Sequence, residues 1–258
     1  MKDILPPKEW HFNRMQEVVG ESIVRGRQGI DVGSGCGYDT YIMAKNNPGV
    51  RLVSMDSSEG IYTTKEITST LNNVAAVRSS VLDMALKDNI FDFAYSFGVL
   101  HHTPDPEGGL KEIARVIKKG APAYLYLYDD HRDNPTKYFI LKIIRILRLI
   151  TTRIPRRILY VISFLASPFV VIFFSYPARF FSRFKATSSF SEKIPFNFGK
   201  GLFSLTGDLY DRFGAPIEYR FSKEDIMDML RRNGFVNIKI DRIRSIAGWV
   251  AWGYKAND

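Results

Sequence analysis

The sequence predicts an α/β fold centred on a parallel sheet, and three observations support this prediction. A glycine-rich turn at 29–38 follows a short apolar strand and precedes a helix. Strand and helix patterns then alternate as far as residue 130. A final helix and two strand-like segments end the chain. Alternation of this kind requires right-handed crossovers between parallel strands, so we expect helices on both faces of the sheet.

The glycine-rich turn reads Gly-Ile-Asp-Val-Gly-Ser-Gly-Cys-Gly-Tyr and contains Gly33, Gly35 and Gly37. Glycines let the backbone turn tightly and approach a ligand closely. Tyr38 stands where a dinucleotide-binding turn has its third small residue. Asp31 precedes the glycines, where it favours a cationic ligand over a phosphate. The turn therefore predicts a ligand other than a dinucleotide.

The later strands add polar and aromatic residues at their ends. The second strand, 51–55, ends in Asp56, about 20 residues beyond the glycines, where a carboxylate can accept both ribose hydroxyls. The fourth strand, 91–96, continues into Phe97 and a loop that reaches Asp105. A helix over 107–117 and a fifth strand over 123–128 follow. Because strand ends of a parallel sheet share one edge, we expect Gly33, Asp56 and Phe97 to form one site.

In order and spacing, these residues resemble the class I S-adenosylmethionine (SAM)-dependent methyltransferases over residues 20–130, most closely the ubiquinone and menaquinone branch. The resemblance implies a Rossmann-like seven-stranded methyltransferase sheet with a helical insertion after strand 5. It divides the chain into a lid helix (1–28), a SAM-binding core (29–130), the insertion (131–206), and a C-terminal helix with the final strand hairpin (207–258).

The resemblance also implies the cofactor and its contacts. SAM is the expected cofactor, and the expected binding residues are Asp31, Gly33, Ser34, Gly35, Gly37, Asp56, Ser57, Asp83 and Phe97. The adenine contact departs from the family pattern, because Ser80 stands at the position that usually holds an aspartate and Asp83 lies three residues later. Either side chain can reach the adenine amino group, and Asp83 is the one we favour.

Four histidines are candidates for a general base, although methyl transfer needs one only if the acceptor must lose a proton. His101 and His102 follow the fourth strand, and neighbouring side chains diverge, so at most one faces the substrate. His131, after the fifth strand, and His11 are further candidates. The alternative is that the histidine pair packs and hydrogen-bonds within its loop. No His or Cys pair has helical ligand spacing, so no metal site is predicted.

The positive charge of the chain belongs to the insertion. The net charge is +9, yet residues 131–206 contain 13 Lys and Arg against two acids, and the remainder contains 23 against 25. The single cysteine, Cys36, excludes an internal disulfide and suits a reducing compartment. The N-terminus shows no cleavable signal.

The insertion combines cations with long apolar stretches. Residues 138–154 predict a helix with cations on one face, and 158–178 are 21 residues without a charge, interrupted by Pro168 and Pro177. That length would span a bilayer. The chain must return to the sheet and both flanks are basic, so we expect an interfacial or re-entrant anchor, with membrane contact through 137–185. A helical cap over the core and a protein interface are the alternatives.

The C-terminal part returns to the sheet. Residues 210–213 suggest a substrate-facing loop or an ordinary turn, and Ser222 with Asp225 predicts a helix N-cap. The last two strands are expected over 237–243 and 249–254.

The expected function is methyl transfer from SAM to a lipid-like or membrane-presented small molecule, by a cytoplasmic protein peripheral on the inner face of a membrane. One alternative is a soluble sugar or natural-product acceptor with the insertion as a lid. Another is a SAM-binding protein without catalysis. A nucleic-acid-binding protein that uses the basic segment is a further alternative. A nucleic-acid partner is nevertheless not expected, because the cations alternate with Ile, Leu and Phe, which phosphate binding does not require.

Overall fold

The structure, a computed structural model, describes residues 11–184, 186–187, 202–243 and 248–257. Two compact units make up the chain: residues 1–130 together with 217–258, here called the core unit, and residues 131–216, here called the helical unit. The first ten residues of the expected lid, Lys185 and residues 188–201 of the insertion lie outside the described residues.

The core unit contains the seven-stranded sheet that the sequence predicts. Its strands are β1 Gln28–Val32, β2 Arg51–Asp56, β3 Val74–Arg78, β4 Phe93–Phe97, β5 Pro122–Tyr128, β6 Phe235–Arg242 and β7 Gly248–Lys255. Their order across the sheet is β3-β2-β1-β4-β5-β7-β6. The first five strands run parallel, and β7 lies antiparallel between β5 and β6.

Helices precede and connect the strands of the sheet. They are α1 His11–Val19, α2 Tyr38–Asn46, α3 Gly60–Ile67, α4 Pro106–Val116 and, after the helical unit, the C-terminal helix Lys223–Arg232. A 3₁₀ turn, Leu100–His102, follows β4. The predicted N-cap is confirmed: Ser222 accepts from the N–H of Asp225, and the Asp225 side chain accepts from the N–H of Ser222.

Alternating side chains of the strands pack into two hydrophobic cores. In β4, Phe93 and Tyr95 face one core, together with Met43 of α2 and Tyr124 of β5. Ala94 faces the other core, which includes residues of α4 and of the C-terminal helix. Period-two alternation in a sheet covered on both faces produces this pattern.

The register brings three strand ends to one edge of the sheet. In β1, Ile30 lies opposite Val53 of β2 and Ala94 of β4. Because β1 is central among these three parallel strands, the loops after β1, β2 and β4 are neighbours. This edge holds the candidate site.

The helical unit contains α5 Pro135–Thr151, α6 Arg156–Val170, a π-helical turn Val171–Ser175, α7 Tyr176–Ser182 and α8 Leu202–Gly214. The expectation that Pro168 interrupts the run was wrong, because the helix continues through it. Proline removes one backbone donor, and the Phe164 carbonyl four residues earlier instead accepts the Ser167 hydroxyl at 2.8 Å. Pro177 lies in the first turn of α7, where a missing N–H costs little.

Residues 210–213 belong to α8 and do not form the expected loop. The helix that contains them packs antiparallel to α6, with the Tyr160 and Tyr210 rings 5.9 Å apart. The helical unit therefore ends at residue 216 and not at 206. The C-terminal helix that follows, Lys223–Arg232, is called α9 below.

Asp92 joins the start of β1 to the loop after α4. Its carboxylate accepts from the N–H groups of Arg27 and Gln28 at 2.7 and 2.9 Å, and Lys118 Nζ lies 2.6 Å away. Burial alone would raise the pKa of Asp92, but the hydrogen bonds from Lys118 and from the two N–H groups lower it below its ordinary value. The carboxylate therefore stabilises the fold above that ordinary pKa.

We expect Asp92→Ala to lower the free energy of unfolding by about 1–3 kcal/mol at neutral pH, because it leaves two N–H groups without their acceptor. The deficit should shrink as the pH falls through the lowered pKa of Asp92. Urea unfolding from neutral to acidic pH measures both effects. Asp228→Ala removes an exposed carboxylate 3.6 Å from Arg231 and is the control. Equal stability of the two variants would contradict the prediction.

Candidate active site

The turn after β1 is held in left-handed backbone conformations. The N–H groups of Gly33 and Ser34 both donate to the Met55 carbonyl at 2.7 and 3.0 Å. Gly33 has φ 78°, and a Cβ there would lie 2.2 Å from Val99 Cγ2. Only glycine fits both the conformation and the space.

Asp56, at the end of β2, fixes the turn from the side of the neighbouring strand. One carboxylate oxygen accepts from the N–H of Gly35 at 2.7 Å, and the other accepts from the N–H of Ser58 at 2.7 Å. The carboxylate also lines the cavity described below. Each oxygen has further acceptor capacity, so Asp56 can bind ligand hydroxyls while it holds the turn.

Asp31 lies beneath the turn and outside the cavity lining. It is 1% exposed and accepts from Thr40 Oγ1 at 2.6 Å, and that hydroxyl lies 3.0 Å from Ser54 Oγ. Burial raises the pKa of Asp31 to about 8, and the Thr40 hydrogen bond opposes this shift. In the structure Asp31 is thus a buried support of the turn.

A cavity of about 370 Å³ opens beside these strand ends. It is lined by Gly33, Met55, Asp56, Ser57, Ser79, Ser80, Val81, Leu82, Phe97, Gly98, Val99, His102, Thr103 and Pro104. The volume is within the range of small-molecule and cofactor sites. Four predicted cofactor residues, Gly33, Asp56, Ser57 and Phe97, meet here.

The other predicted cofactor residues lie around the cavity and not in its lining. Ser34, Gly35 and Gly37 form the turn that Asp56 holds. Asp83 is exposed and outside the lining, whereas Ser80 is part of it. Of the two adenine candidates, Ser80 is thus the one that lines the cavity, and an isolated antiparallel bridge joins it to Asp83.

The cavity has features that fit SAM, the cofactor implied by the sequence. The Asp56 carboxylate suits ribose hydroxyls. Val81 and Leu82 offer apolar surface to a purine. Ser34 Oγ, in the turn beside the cavity, is buried and has no hydrogen-bond partner among the described residues. These are the groups of this chain that would hold the cofactor.

An aromatic stack borders the site. His11, at the start of α1, stacks on Phe97 with ring centroids 4.1 Å apart, and Phe97 stacks on Tyr126 at 4.2 Å. Asp39 holds the start of α1, since it accepts from the N–H of Phe12 at 2.8 Å. The described part of the expected lid is therefore fixed against a residue that lines the cavity.

The two adjacent histidines, His101 and His102, have different surroundings. His101 is fully buried, its ring lies 3.8 Å from that of Tyr128, and neither ring nitrogen has a hydrogen-bond partner among the described residues. Burial, together with His102 and Arg220, lowers the pKa of His101 well below 6.5. His101 is thus a neutral packing residue at neutral pH.

His102 lines the cavity, and its Nδ1 lies 2.8 Å from the Ile217 carbonyl oxygen. A carbonyl only accepts, so Nδ1 carries a proton, and Nε2 of the neutral ring is an acceptor. His131 is buried at the start of the helical unit with φ 55°. His102 is the one of the three predicted catalytic histidines that lines this cavity.

Several cavity residues were not predicted from the sequence. Val81, Leu82, Val99, Thr103 and Pro104 contribute apolar or backbone surface. The sequence gives little indication that they line a cavity, because an apolar pair after a strand is equally typical of the hydrophobic core. The position of Val81 and Leu82 directly after Ser80 was the available indication.

Comparison with known proteins agrees with this geometry. Residues 30–125 match the family described as "Methyltransferase domain". A demethylmenaquinone methyltransferase of Staphylococcus aureus is 31% identical over 116 residues, which are 44% of this chain and 46% of that protein. The chloroplastic 2-methyl-6-phytyl-1,4-hydroquinone methyltransferase 1 of Oryza sativa subsp. japonica is 26% identical over 124 residues, 47% and 38% of the two chains. The matches thus span less than half the length of these relatives.

A crystal structure of a SAM-dependent methyltransferase from Thermotoga maritima shares the fold. The TM-score is 0.51 at 16% identity, and the alignment covers 94% of this chain and 87% of the other. The seven-stranded α/β architecture is therefore that of the Rossmann-like methyltransferases.

The raised pKa of Asp31 predicts a pH-dependent stability. Between the ordinary carboxyl pKa of 3.8 and the folded value of about 8, the folded state holds a proton that the unfolded state has lost. Asp31 therefore lowers stability progressively as the pH rises through this window. We expect the melting temperature of Asp31→Asn, relative to the unmodified protein, to increase from about pH 5 to about pH 8 and then level off. Scanning calorimetry measures it, with Asp228→Asn as the control. A difference that is constant with pH would contradict the assignment.

Proposed function

Because residues 30–125 form a class I SAM-dependent methyltransferase domain, we propose that the protein transfers a methyl group from SAM to a lipid-like small molecule presented at a membrane surface. The observation that supports the cofactor most directly is the Asp56 carboxylate. It accepts from the N–H of Gly35 in the glycine turn and from the N–H of Ser58 in its own loop, and it lines the cavity at the edge where the strands end.

When bound, SAM supplies an electrophilic methyl group on a sulfonium. The residues of this chain bind and orient the reactants and accept a proton. We propose that Asp56 binds the ribose hydroxyls, Ser80 the adenine, and Ser34 a polar group of the cofactor. Val81, Leu82 and Val99 exclude water from the cavity wall. In a displacement reaction, holding the acceptor within near-attack range of the methyl group lowers the barrier.

We propose His102 as the general base for an acceptor that must lose a hydroxyl proton. Its Nδ1–H is held by the Ile217 carbonyl, so Nε2 can accept the proton as the acceptor attacks the methyl group. A phenolic hydroquinone is an acceptor of this type. His101 supports the loop by packing on Tyr128 and takes no proton in this scheme.

Two observations support a lipid-like acceptor. The relatives from Staphylococcus aureus and Oryza sativa are named for menaquinone and phytyl-hydroquinone substrates. The helical unit exposes large apolar side chains next to cations, including Phe139, Ile146 and Ile150 of α5. Cations attract anionic headgroups, and an apolar face partitions into the acyl boundary. We therefore propose membrane contact through residues 137–185, on the inner face of a cytoplasmic membrane.

We expect Asp56→Asn to weaken the binding of SAM and of its demethylated product by about tenfold to a hundredfold, because the amide has no charge and its NH2 group faces one of the two N–H donors. Isothermal titration calorimetry measures this. Glu59→Gln removes an exposed carboxylate from the same loop and is the matched control. Equal affinities of the two variants, or no binding by the unmodified protein, would remove the proposed cofactor site.

We expect His102→Gln to lower kcat by about 10²- to 10⁴-fold with little change in SAM affinity. The assay uses radiolabelled SAM and a polyprenyl hydroquinone in anionic vesicles. Rescue of the rate at higher pH, where the hydroxyl ionises without help, would mark a lost base. An unchanged kcat would show that His102 only packs in its loop.

The acceptor class is tested with a matched pair of hydroquinones, one with a polyprenyl tail in vesicles and one without a tail in buffer. The proposal expects label in the tailed compound. Transfer to the short compound alone, together with no binding to sedimented vesicles, would favour a soluble acceptor and a lid role for the insertion. SAM binding without transfer to either would favour a non-catalytic SAM-binding protein.

A further inference from the structure

The helical run Arg156–Ser182, here called the apolar helix, has three serines inside and most of its large apolar residues outside, Leu159 being buried. Ser163, Ser167 and Ser175 are only 4%, 1% and 2% exposed. In contrast, large apolar side chains on its other faces are more than half exposed: Phe164 57%, Leu165 61%, Phe169 64% and Phe173 65%. Among the described helices it is the one long and apolar enough to cross a membrane.

This arrangement is the reverse of a helix that packs in water. Exposing a Phe or Leu side chain to water instead of burying it forfeits about 1.5–3 kcal/mol each. In the acyl region of a bilayer the apolar side chains lose nothing by facing outward, and small or hydroxyl residues favour close helix packing. The distribution of residues around the apolar helix follows this second rule.

The serine face packs against α8. Thr206 Oγ1 donates to Ser167 Oγ at 3.1 Å, and Ser167 itself donates to the Phe164 carbonyl. Farther along, a Cβ added at Gly214 would lie 3.1 Å from Leu159 Cδ2, so the two helices approach closely there. The hydroxyls of Ser167 and Thr206 thus have partners, as hydrocarbon surroundings require.

The ends of the apolar helix match a bilayer in length and charge. The charge-free run 158–178 has 21 residues, about 32 Å at helical rise, against a hydrocarbon thickness of about 30 Å. Arg156 and Arg157 precede it, and Arg179 and Arg183 follow it. No acidic residue occurs in the sequence from 134 to 191, so this stretch has a net positive charge that attracts anionic headgroups.

An interfacial position does not fit the apolar helix. A helix in the plane of the interface needs a polar face toward water, and this one has charged residues only near its ends. In contrast, α5 carries Lys142 and Arg145 among its exposed apolar residues and suits the interface.

We propose that the apolar helix is immersed in the acyl-chain region of a lipid bilayer, with its serine face against α8 and its aromatic and aliphatic faces toward lipid. This inference deepens the membrane contact of the proposed function and rests on it. In this proposal the apolar helix lies among the acyl chains and not at the membrane interface.

The test measures depth at single positions. In a Cys36→Ser background, Leu165→Cys and Phe169→Cys place an environment-sensitive fluorophore on the apolar helix, and Phe139→Cys places one on α5. Tyr62→Cys, 59% exposed on α3 of the core unit, is the control. The full chain is mixed with vesicles of phosphatidylcholine and phosphatidylglycerol that carry a nitroxide quencher either near the headgroup or near the chain ends.

The expected result is stronger quenching by the deep nitroxide at 165 and 169, stronger quenching by the shallow one at 139, and none at 62. Shallow quenching at 165 and 169 would overturn insertion in favour of an interfacial anchor. No quenching at either position would overturn it in favour of a cap or a protein interface. SAM titration of the same labelled samples separates these outcomes from a failure of the methyltransferase site, because Leu165 and Phe169 belong to the other unit.

Discussion

The site depends first on the two hydrogen bonds that Asp56 accepts from Gly35 and Ser58. The sheet order brings the loops after β1, β2 and β4 to one edge, but order alone does not fix a glycine turn. Its left-handed glycines lose much conformational entropy on folding, and the Asp56 carboxylate at the neighbouring strand end restricts their conformation. One side chain thus shapes the turn and presents the oxygens expected to bind a ribose, so less ordering remains to be done when a ligand binds.

Asp31 shows how the same residue type serves a different purpose a few ångströms deeper in the fold. It is enclosed with Thr40 and Ser54, whereas Asp56 keeps contact with the cavity. Burial penalises the charged form, so Asp31 behaves as a hydroxyl-bonded neutral group over a wide pH range. Asp56 instead accepts from the N–H groups of Gly35 and Ser58 and lines the cavity. The sequence pattern alone treats both as acidic residues near a glycine turn and cannot distinguish them.

Sequence reasoning predicted what periodicity and strand ends determine. The meeting of Gly33, Asp56 and Phe97 and the cap at Ser222 follow from local patterns and the geometry of parallel sheets, whereas the number of seven strands came from the resemblance to the methyltransferases. It could not decide between His101 and His102, because the 3₁₀ turn after β4 sets which ring is enclosed. Asp211 and Arg212 resembled a turn because polar pairs favour turns, yet packing on α6 keeps them helical. Pro168 failed as a helix breaker because a neighbouring serine satisfies the freed carbonyl.

Hydropathy identified residues 158–178 as apolar, but it averages over the circumference of a helix and so contains no information on which face is covered. That information comes from packing, and here packing covers the serines.

If the apolar helix is inserted, the cations and the apolar side chains of the helical unit act over different distances. Attraction between its cations and an anionic surface extends about one Debye length, about 8 Å at physiological salt. Contact between apolar side chains and acyl chains is short-ranged and insensitive to salt. The cations would therefore bring the protein to the membrane, and the apolar helix would hold it there after the electrostatic attraction is screened.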